Sequence, residues 1–313
     1  PAIDLGGVSR EFFTMVTNTL FSPDFAMFKL IGDGFYWFLS GENTQSINLY
    51  TMLGSFIGIA INNKVVLPIR FPLILYKKLR NETKFTIADF SEISDEEARS
   101  LQSLIDLKSN GENIELAGLA FDSSEEYFGS IKVEPLIENG SEIPVTNENV
   151  DLYIEKFIDW KLNKSIEKVF NAFKNGYDKV NNTPMMRMFV PEELNILVSG
   201  EKVFDWVAFK NAAVLKNCFQ TSKTIKDLWD IFDNDWDEKK KITFFYFITG
   251  IKTAPIGGLA NLHVKIELID NSNLLPVSHT CFNHLVLPDY QNRENLSKKL
   301  NICLDNCEGF GLL

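Results

Sequence analysis

The sequence predicts an α+β protein, and three observations carry that prediction. The first is an amphipathic run from Asn149 to Gly176. In it Val150, Tyr153, Ile154, Phe157, Ile158, Ile166, Val169, Phe170 and Phe173 line one wide apolar face at helical spacing. The second is the strict alternation of Val264, Ile266 and Leu268, followed by the short apolar run Leu285-Val286-Leu287, which read as strands. The third is a stretch from about 83 to 137, polar and broken by Gly111, Gly118 and Gly129, which interrupts the helical pattern as a small inserted α/β subdomain.

The elements follow in order. Asp4 to Arg10 is a loop running into a helix on which Phe12, Phe13, Val16 and Leu20 keep helical spacing until Ser22-Pro23 stops it. Residues 25–39, with Tyr36-Trp37-Phe38, read as short strands. The run Ile47 to Ile61 is a buried helix, too short and too polar at Asn48 to span a bilayer. On it Gly54 and Gly58, four apart, allow another helix to come close. An extended piece with Pro68 and Pro72 leads to a short helix ending at Arg80. Ser94 and Glu97 form a capping-box pattern that starts a helix through Lys108, and two strands are expected near 114–121 and 128–137. The long helix of 149–176 stops at Gly176. Pro191 opens a further helix that ends at Gly200. Gly200-Glu201-Lys202 is short, polar and flexible, a boundary between two lobes. Beyond it lie helices near 222–233 and 236–248, a turn at Pro255-Ile256-Gly257-Gly258, the two strands, and a last helix over 293–306.

Composition narrows the function. The 313 residues suffice for two or three lobes, and 45 % apolar with 23 % charged residues is ordinary for a soluble globular protein. The net charge is −11 and the longest basic run is Lys239-Lys240-Lys241, so no nucleic-acid partner is expected, because phosphate binding needs clustered cations. Four cysteines, all in the last third, do not make a disulfide framework. They point to a reducing compartment, cytoplasmic or nuclear. The chain opens on Pro1 without a signal-peptide pattern, and is expected to be a piece of a longer protein.

The chemistry concentrates near the C-terminus, in Leu275-Pro276-Val277-Ser278-His279-Thr280-Cys281-Phe282-Asn283. Cys281 falls between two strands, on a loop where its sulfur can be reached. His279 and His284 are close in sequence and Thr280 is adjacent. A free thiol is a few per cent thiolate at neutral pH, and a neighbouring imidazolium raises that fraction. The alternatives are an incidental loop cysteine or a zinc site of His263, His279, Cys281 and His284, whose spacing matches no common finger. A papain-like protease is disfavoured, because the only histidine after the cysteine is three residues on. No phosphate-binding loop occurs, since Gly32-Asp33-Gly34 lacks a third glycine, so no nucleotide, cofactor or metal is expected. Cys303 and Cys307 could hold a metal at four-residue spacing. They also share a helical face with Leu296, Leu300 and Leu304, which favours packing; Cys218 reads as structural.

The active-site segment, together with Glu308-Gly309-Phe310-Gly311-Leu312-Leu313, resembles the HECT family of ubiquitin-protein ligases, closest to the subgroup founded by the papillomavirus-oncoprotein-associated ligase. The resemblance runs nearly the whole chain: Asp4 to Phe13, Leu20-Phe21-Ser22-Pro23, Tyr36-Trp37-Phe38, Val145 to Asn149, Ala172 to Tyr177, Phe189 to Leu194, and Phe247 through Gly258. It implies a bilobal HECT fold: a mostly helical N-lobe over 1–199 with the small subdomain near 83–137, a hinge at Gly200, Glu201 and Lys202, and a smaller α/β C-lobe over 203–313. Cys281 would then take ubiquitin from a charged ubiquitin-conjugating enzyme as a thioester and pass it to a lysine of a protein substrate. His279 and Thr280 would shape the thiol's surroundings, and Phe310 would help place the C-lobe for the lysine step. Leu101, Leu104, Leu107 and Leu119 would line the groove for the conjugating enzyme. The first three recur at three-residue steps and so share a helix face, which fits equally well with packing of the subdomain's own core. An inactive module that only binds the conjugating enzyme is the alternative. The sequence departs from the family pattern at Thr253, where an arginine is usual, and at Val150, where a basic residue is usual. The helix and strand that usually precede the Asp4 segment are missing.

Overall fold

The computed structural model describes residues 7–32, 34–39, 46–127, 130–201, 203–255 and 257–307. It divides into two compact units, one of residues 18–63 and 69–198 and the other of residues 1–17, 64–68 and 199–313. We call them the N-terminal and C-terminal units. Helix α1 (Gly7–Leu20) passes from one to the other between Thr17 and Asn18.

In the N-terminal unit, β1 (Phe28–Ile31) and β2 (Phe35–Phe38) form an antiparallel hairpin in register Phe28 to Phe38. Helix α2 (Ile47–Asn62) starts where the Ser46 hydroxyl accepts from Asn48 N. Then come α3 (Leu73–Leu79), α4 (Ile87–Phe90) and α5 (Asp95–Ser109). Strands β3 (Asp122–Tyr127) and β4 (Ser130–Pro135) form a second hairpin, followed by α6 (Val150–Leu162), α7 (Glu167–Asn181) and α8 (Pro191–Ser199). Phe38, Tyr50, Phe71 and Phe173 are buried to within 1 % and make an aromatic core around α2 and α7.

The glycines on α2 do what the sequence suggests, and the partner helix is α7. A Cβ on Gly54 would lie 1.9 Å from Phe173 O, and one on Gly176 would lie 1.8 Å from Thr51 O. At this crossing backbone meets backbone, and the Ser55 hydroxyl donates to Gly176 O at 3.0 Å. Gly176 is therefore a contact point inside α7, which continues to Asn181, and not the stop that its composition suggests.

Three further expectations are corrected. The single helix of 149–176 is two helices, broken at Asn163–Ile166 by a residue from far away in sequence. The buried Lys78 ammonium donates to Leu162 O at 2.7 Å and to Asn163 Oδ1, occupying the carbonyl that the next helical turn would have used. Strand 114–121 is displaced: Asn113 accepts from Glu115 N to start a 3-10 turn over Ile114–Ala117, Gly118 at φ +64° ends it, Ala120 makes a lone bridge with Pro144, and the β3–β4 ladder begins only at Asp122. The helix expected near 222–233 leaves α-geometry early, as described below.

Lys78 gives a measurable consequence. Burial lowers its pKa from 10.5 to about 8, against the pull of Asp159 and Glu167. Between those two pH values the unfolded chain binds more protons than the folded one, so stability rises with pH. Burial pushes Tyr153, Tyr177 and Tyr290 up to about 12, and their contribution is lost only above pH 10. Lys78 is thus expected to contribute a climb in stability on the order of 2 kcal/mol between pH 8 and 10, read as the difference in urea midpoint from Lys78→Met. Lys78→Met should flatten that climb, and an equally steep climb in the variant would rule Lys78 out as its source.

The C-terminal unit holds α9 (Trp206–Asn211), β5 (Val214–Lys216), α10 (Lys223–Asp230), α11 (Glu238–Thr249), β6 (Lys265–Ile269), β7 (Val277–His279), β8 (His284–Pro288) and α12 (Arg293–Asn306). The strands make one sheet in the order β5-β6-β8-β7, with β5, β6 and β8 parallel and β7 antiparallel. Ile266, Leu268, Leu285 and Leu287 point from it into a core with Phe232, Phe244, Phe245, Leu296 and Leu300. Residues Ile231–Asp235 form a single π turn after α10, which Arg293 spans by pairing with Asp230 and Asp235. Helix α9 and strand β5 carried no readable pattern, being six and three residues long.

Candidate active site

Cys281 sits in a hairpin. Strands β7 and β8 pair with His279 opposite His284, and the residues between them make a 3-10 turn over Thr280–Phe282 closed by Asn283 at φ +48°. Asparagine tolerates this left-handed conformation, and here its side-chain Nδ2 also donates to Leu262 O at 3.1 Å, while its backbone carbonyl accepts from Lys265 N at 2.8 Å. The turn is thereby tied to the strand beside it. On the other side Thr280 packs over the end of α11, where a Cβ on Gly250 would lie 3.5 Å from Thr280 Cβ. Gly250, at φ +72°, caps α11 by donating to Tyr246 O at 2.8 Å. The Cys281 side chain and Phe310 lie outside the described residues.

The two imidazoles flank the base of this turn, with ring centroids 5.8 Å apart and a tilt of 40°. His284 Nε2 lies 3.1 Å from Glu267 Oε2 on the adjacent strand. The distance is that of a contact but the alignment is not that of a formed hydrogen bond, so we treat it as electrostatic. Burial, then the charges of His279 and Lys216, hold the His284 pKa below the usual histidine value against the pull of Glu267. Glu267 is a member of this cluster that the sequence did not reveal, because it lies 17 positions from His284 and reaches it only through the parallel pairing of β6 and β8.

Among the described residues no group of three or more His, Cys, Asp and Glu is placed to hold a metal. Cys303 and Cys307 are half-buried and each donates to a backbone carbonyl, Pro276 O and Leu304 O. Burial raises the thiols of Cys218 and Cys303 above the usual cysteine value, which suits packing and not nucleophilic attack.

The four leucines separate. Leu101 and Leu104 are 3 % and 6 % exposed and form the floor of a cleft of about 260 Å³, with the half-buried Leu119 on its wall. Tyr153 and Phe157 from α6 complete it and Glu96 and Glu97 stand at its edge; Leu107 does not line it. The two aromatics could have been found, because they head the apolar face of the α6 stretch, but nothing local aims them at α5. Among the described residues no helix is long and apolar enough to cross a membrane.

At the sequence boundary, Gly200 has φ +75°, and Glu201 exchanges two backbone hydrogen bonds with Ala254, at 2.9 and 3.0 Å. Lys202 lies outside the described residues. A Cβ on Gly200 would be 2.7 Å from Thr253 Oγ1 and 2.6 Å from Ala254 O. Glu201 is thus paired through its backbone within the C-terminal unit. Val150 is fully buried, so at that position packing replaces the charge usual in the family.

A family model described as HECT-domain (ubiquitin-transferase) matches residues 14–313. The chain is 34 % identical over 314 residues to the human protein described as "Probable E3 ubiquitin-protein ligase HERC4", covering all of this chain and 29 % of that protein. It is 34 % identical over 325 residues to the mouse "Probable E3 ubiquitin-protein ligase HECTD2", covering 99 % and 42 %. It is 31 % identical over 320 residues to "E3 ubiquitin-protein ligase pub3" of Schizosaccharomyces pombe, covering 99 % and 40 %. The chain therefore spans less than half the length of these relatives. With a matching model over nearly all of its length, and with the cysteine hairpin within the matched region, this chain belongs to the HECT-domain ubiquitin-transferase family.

Proposed function

We propose that this chain is the catalytic domain of a ubiquitin-protein ligase that carries ubiquitin on Cys281. The observation that supports this reading best is the hairpin itself. It presents residue 281 on a tight turn, anchored on both sides and bracketed by two histidines, in a chain of this family. The thiolate of Cys281 attacks the carbonyl carbon of the thioester between ubiquitin and the conjugating enzyme. A new S–C bond forms, the old one breaks, and the conjugating enzyme's sulfur leaves with the proton that Cys281 gives up. A substrate lysine amine then attacks the new thioester, forming the isopeptide bond and returning the thiol. Exchange of one thioester for another is nearly balanced in energy, so no nucleotide is consumed, and binding and orientation supply the rate.

In this reading residues 1–199 form the N-lobe, 200–202 the hinge and 203–313 the C-lobe. The partners are ubiquitin, a conjugating enzyme and protein substrates, in a reducing cytoplasmic or nuclear setting. Thr280 seats the turn on Gly250, His279 lies at its base, and Phe310 acts in the lysine step. The conjugating enzyme docks in the cleft over Leu101, Leu104 and Leu119. The test is a gel of charged conjugating enzyme with this chain, with and without reductant. A ubiquitin adduct that disappears with reductant supports the reading, and its absence for every conjugating enzyme tried favours an inactive binding module.

The cleft has its own test. Leu119 is half-buried on the wall, whereas Leu101 and Leu104 are core. Leu119→Glu should slow adduct formation tenfold or more, as loss of a central apolar contact costs about 2 kcal/mol of binding. The urea midpoint should barely move. If stability falls while loading is unchanged, the leucine serves only the subdomain's core.

A further inference from the structure

The acyl-transfer reading uses His279 and leaves His284 and Glu267 without a role. They share the sheet face that points away from the core. Ile266, Leu268, Leu285 and Leu287 face inward, so alternation puts Glu267 and His284 on the opposite face, beside Lys216 from β5 and His279 from β7. The exposed Lys265 is the register partner of His284. Although this face is open, the His284 and Glu267 side chains are only 18 % and 16 % exposed. The Glu267 carboxylate is fixed before it meets the imidazole: Lys216 Nζ and Asn217 Nδ2 each donate to it at 3.0 Å. His284 then lies at 3.1 Å from it on one side and 5.8 Å, ring to ring, from His279 on the other.

His279 and His284 therefore stand side by side at the foot of the turn carrying Cys281, with the anchored carboxylate on the far side of His284. A carboxylate this close to one edge of an imidazole attracts that edge electrostatically and so biases the orientation of the ring. We propose that Glu267 and His284 are positioning residues for the Cys281 turn, with the carboxylate orienting the His284 ring and that ring buttressing His279 at the turn's base. The proposal rests on Cys281 being the nucleophile. It adds to that reading a pair of residues that no linear motif around the cysteine contains.

The experiment has two arms on the full chain. In the first, loading of Cys281 is timed with a charged conjugating enzyme that the wild-type chain accepts. His284→Ala and Glu267→Ala should each slow it on the order of tenfold, as expected when a reacting group is misplaced. His284→Gln, whose amide nitrogen reaches the place of Nε2, should recover most of the rate. In the second arm the chain's three histidines, His263, His279 and His284, are titrated by proton NMR. The His284 midpoint should fall in Glu267→Gln and rise in His279→Gln, because Glu267 favours and His279 opposes its protonation. These shifts report that the three groups interact, and recovery of loading by His284→Gln separates positioning from simple packing. Wild-type loading in His284→Ala, or a His284 midpoint unmoved by both substitutions, overturns the proposal. If the wild-type chain forms no adduct at all, the acyl-transfer reading fails first, and the titrations still decide whether the three groups act as a unit.

Discussion

Cys281→Ala is expected to abolish the reductant-sensitive ubiquitin adduct entirely, while the protein stays folded and still binds the conjugating enzyme. The effect is all-or-none because no other described thiol is placed to substitute. Cys218 and Cys303 are raised in pKa by burial, and Cys303 and Cys307 are engaged with carbonyls of their own unit. Cys281→Ser should trap ubiquitin instead as an oxyester that survives reductant. Phe310→Ala offers the complementary result: adduct formation is kept and lysine modification slows. An adduct that persists in Cys281→Ala would falsify the nucleophile assignment, and equal loss of both steps in Phe310→Ala would remove the separate role given to that residue.

Gly176→Ala is expected to destabilise the chain by about 2 kcal/mol or more, in spite of a helix propensity gain of about 1 kcal/mol. The added carbon would lie 1.8 Å from Thr51 O and 2.7 Å from Thr51 C. Both are backbone atoms of α2, so neither can rotate aside, and relief requires the two helices to separate at the centre of the aromatic core. Asn175→Ala, one residue away and exposed, gains a smaller propensity of about 0.6 kcal/mol without the clash and should be neutral or slightly stabilising. Urea midpoints decide the matter. A Gly176→Ala protein as stable as Asn175→Ala would mean that the helices do not approach this closely.

The sequence was most readable where a single local rule decides the structure. Helix α8 runs from Pro191 to the glycine after its end, and α12 follows its expected bounds because Asn292 caps it and its leucines keep one face. The sequence placed Cys281 on a loop between strands, but β7 and its hairpin pairing with β8 were not legible, because β7 is only three residues long. What stayed hidden was set from a distance. The break between α6 and α7 depends on Lys78, 84 residues from the carbonyl it occupies. Gly176 looked like a terminator because its close neighbour, Thr51, lies on another helix. The His284 environment depends on Glu267 through strand pairing, and the cleft over Leu101 needs Tyr153 and Phe157 from a different helix. Periodicity reports which way a side chain points along its own element. It says nothing of what stands opposite.

The paired backbone of Glu201 and Ala254 ties the start of the C-terminal unit to the segment that follows α11. Each residue's amide and carbonyl are consumed by the other, so residues 253 and 254 must travel with Glu201 in any motion that leaves the pairing intact. Gly200, which leads into this bridge, has a positive φ that is open to glycine and strained for other residues, and a side chain there would press on the Ala254 carbonyl at 2.6 Å.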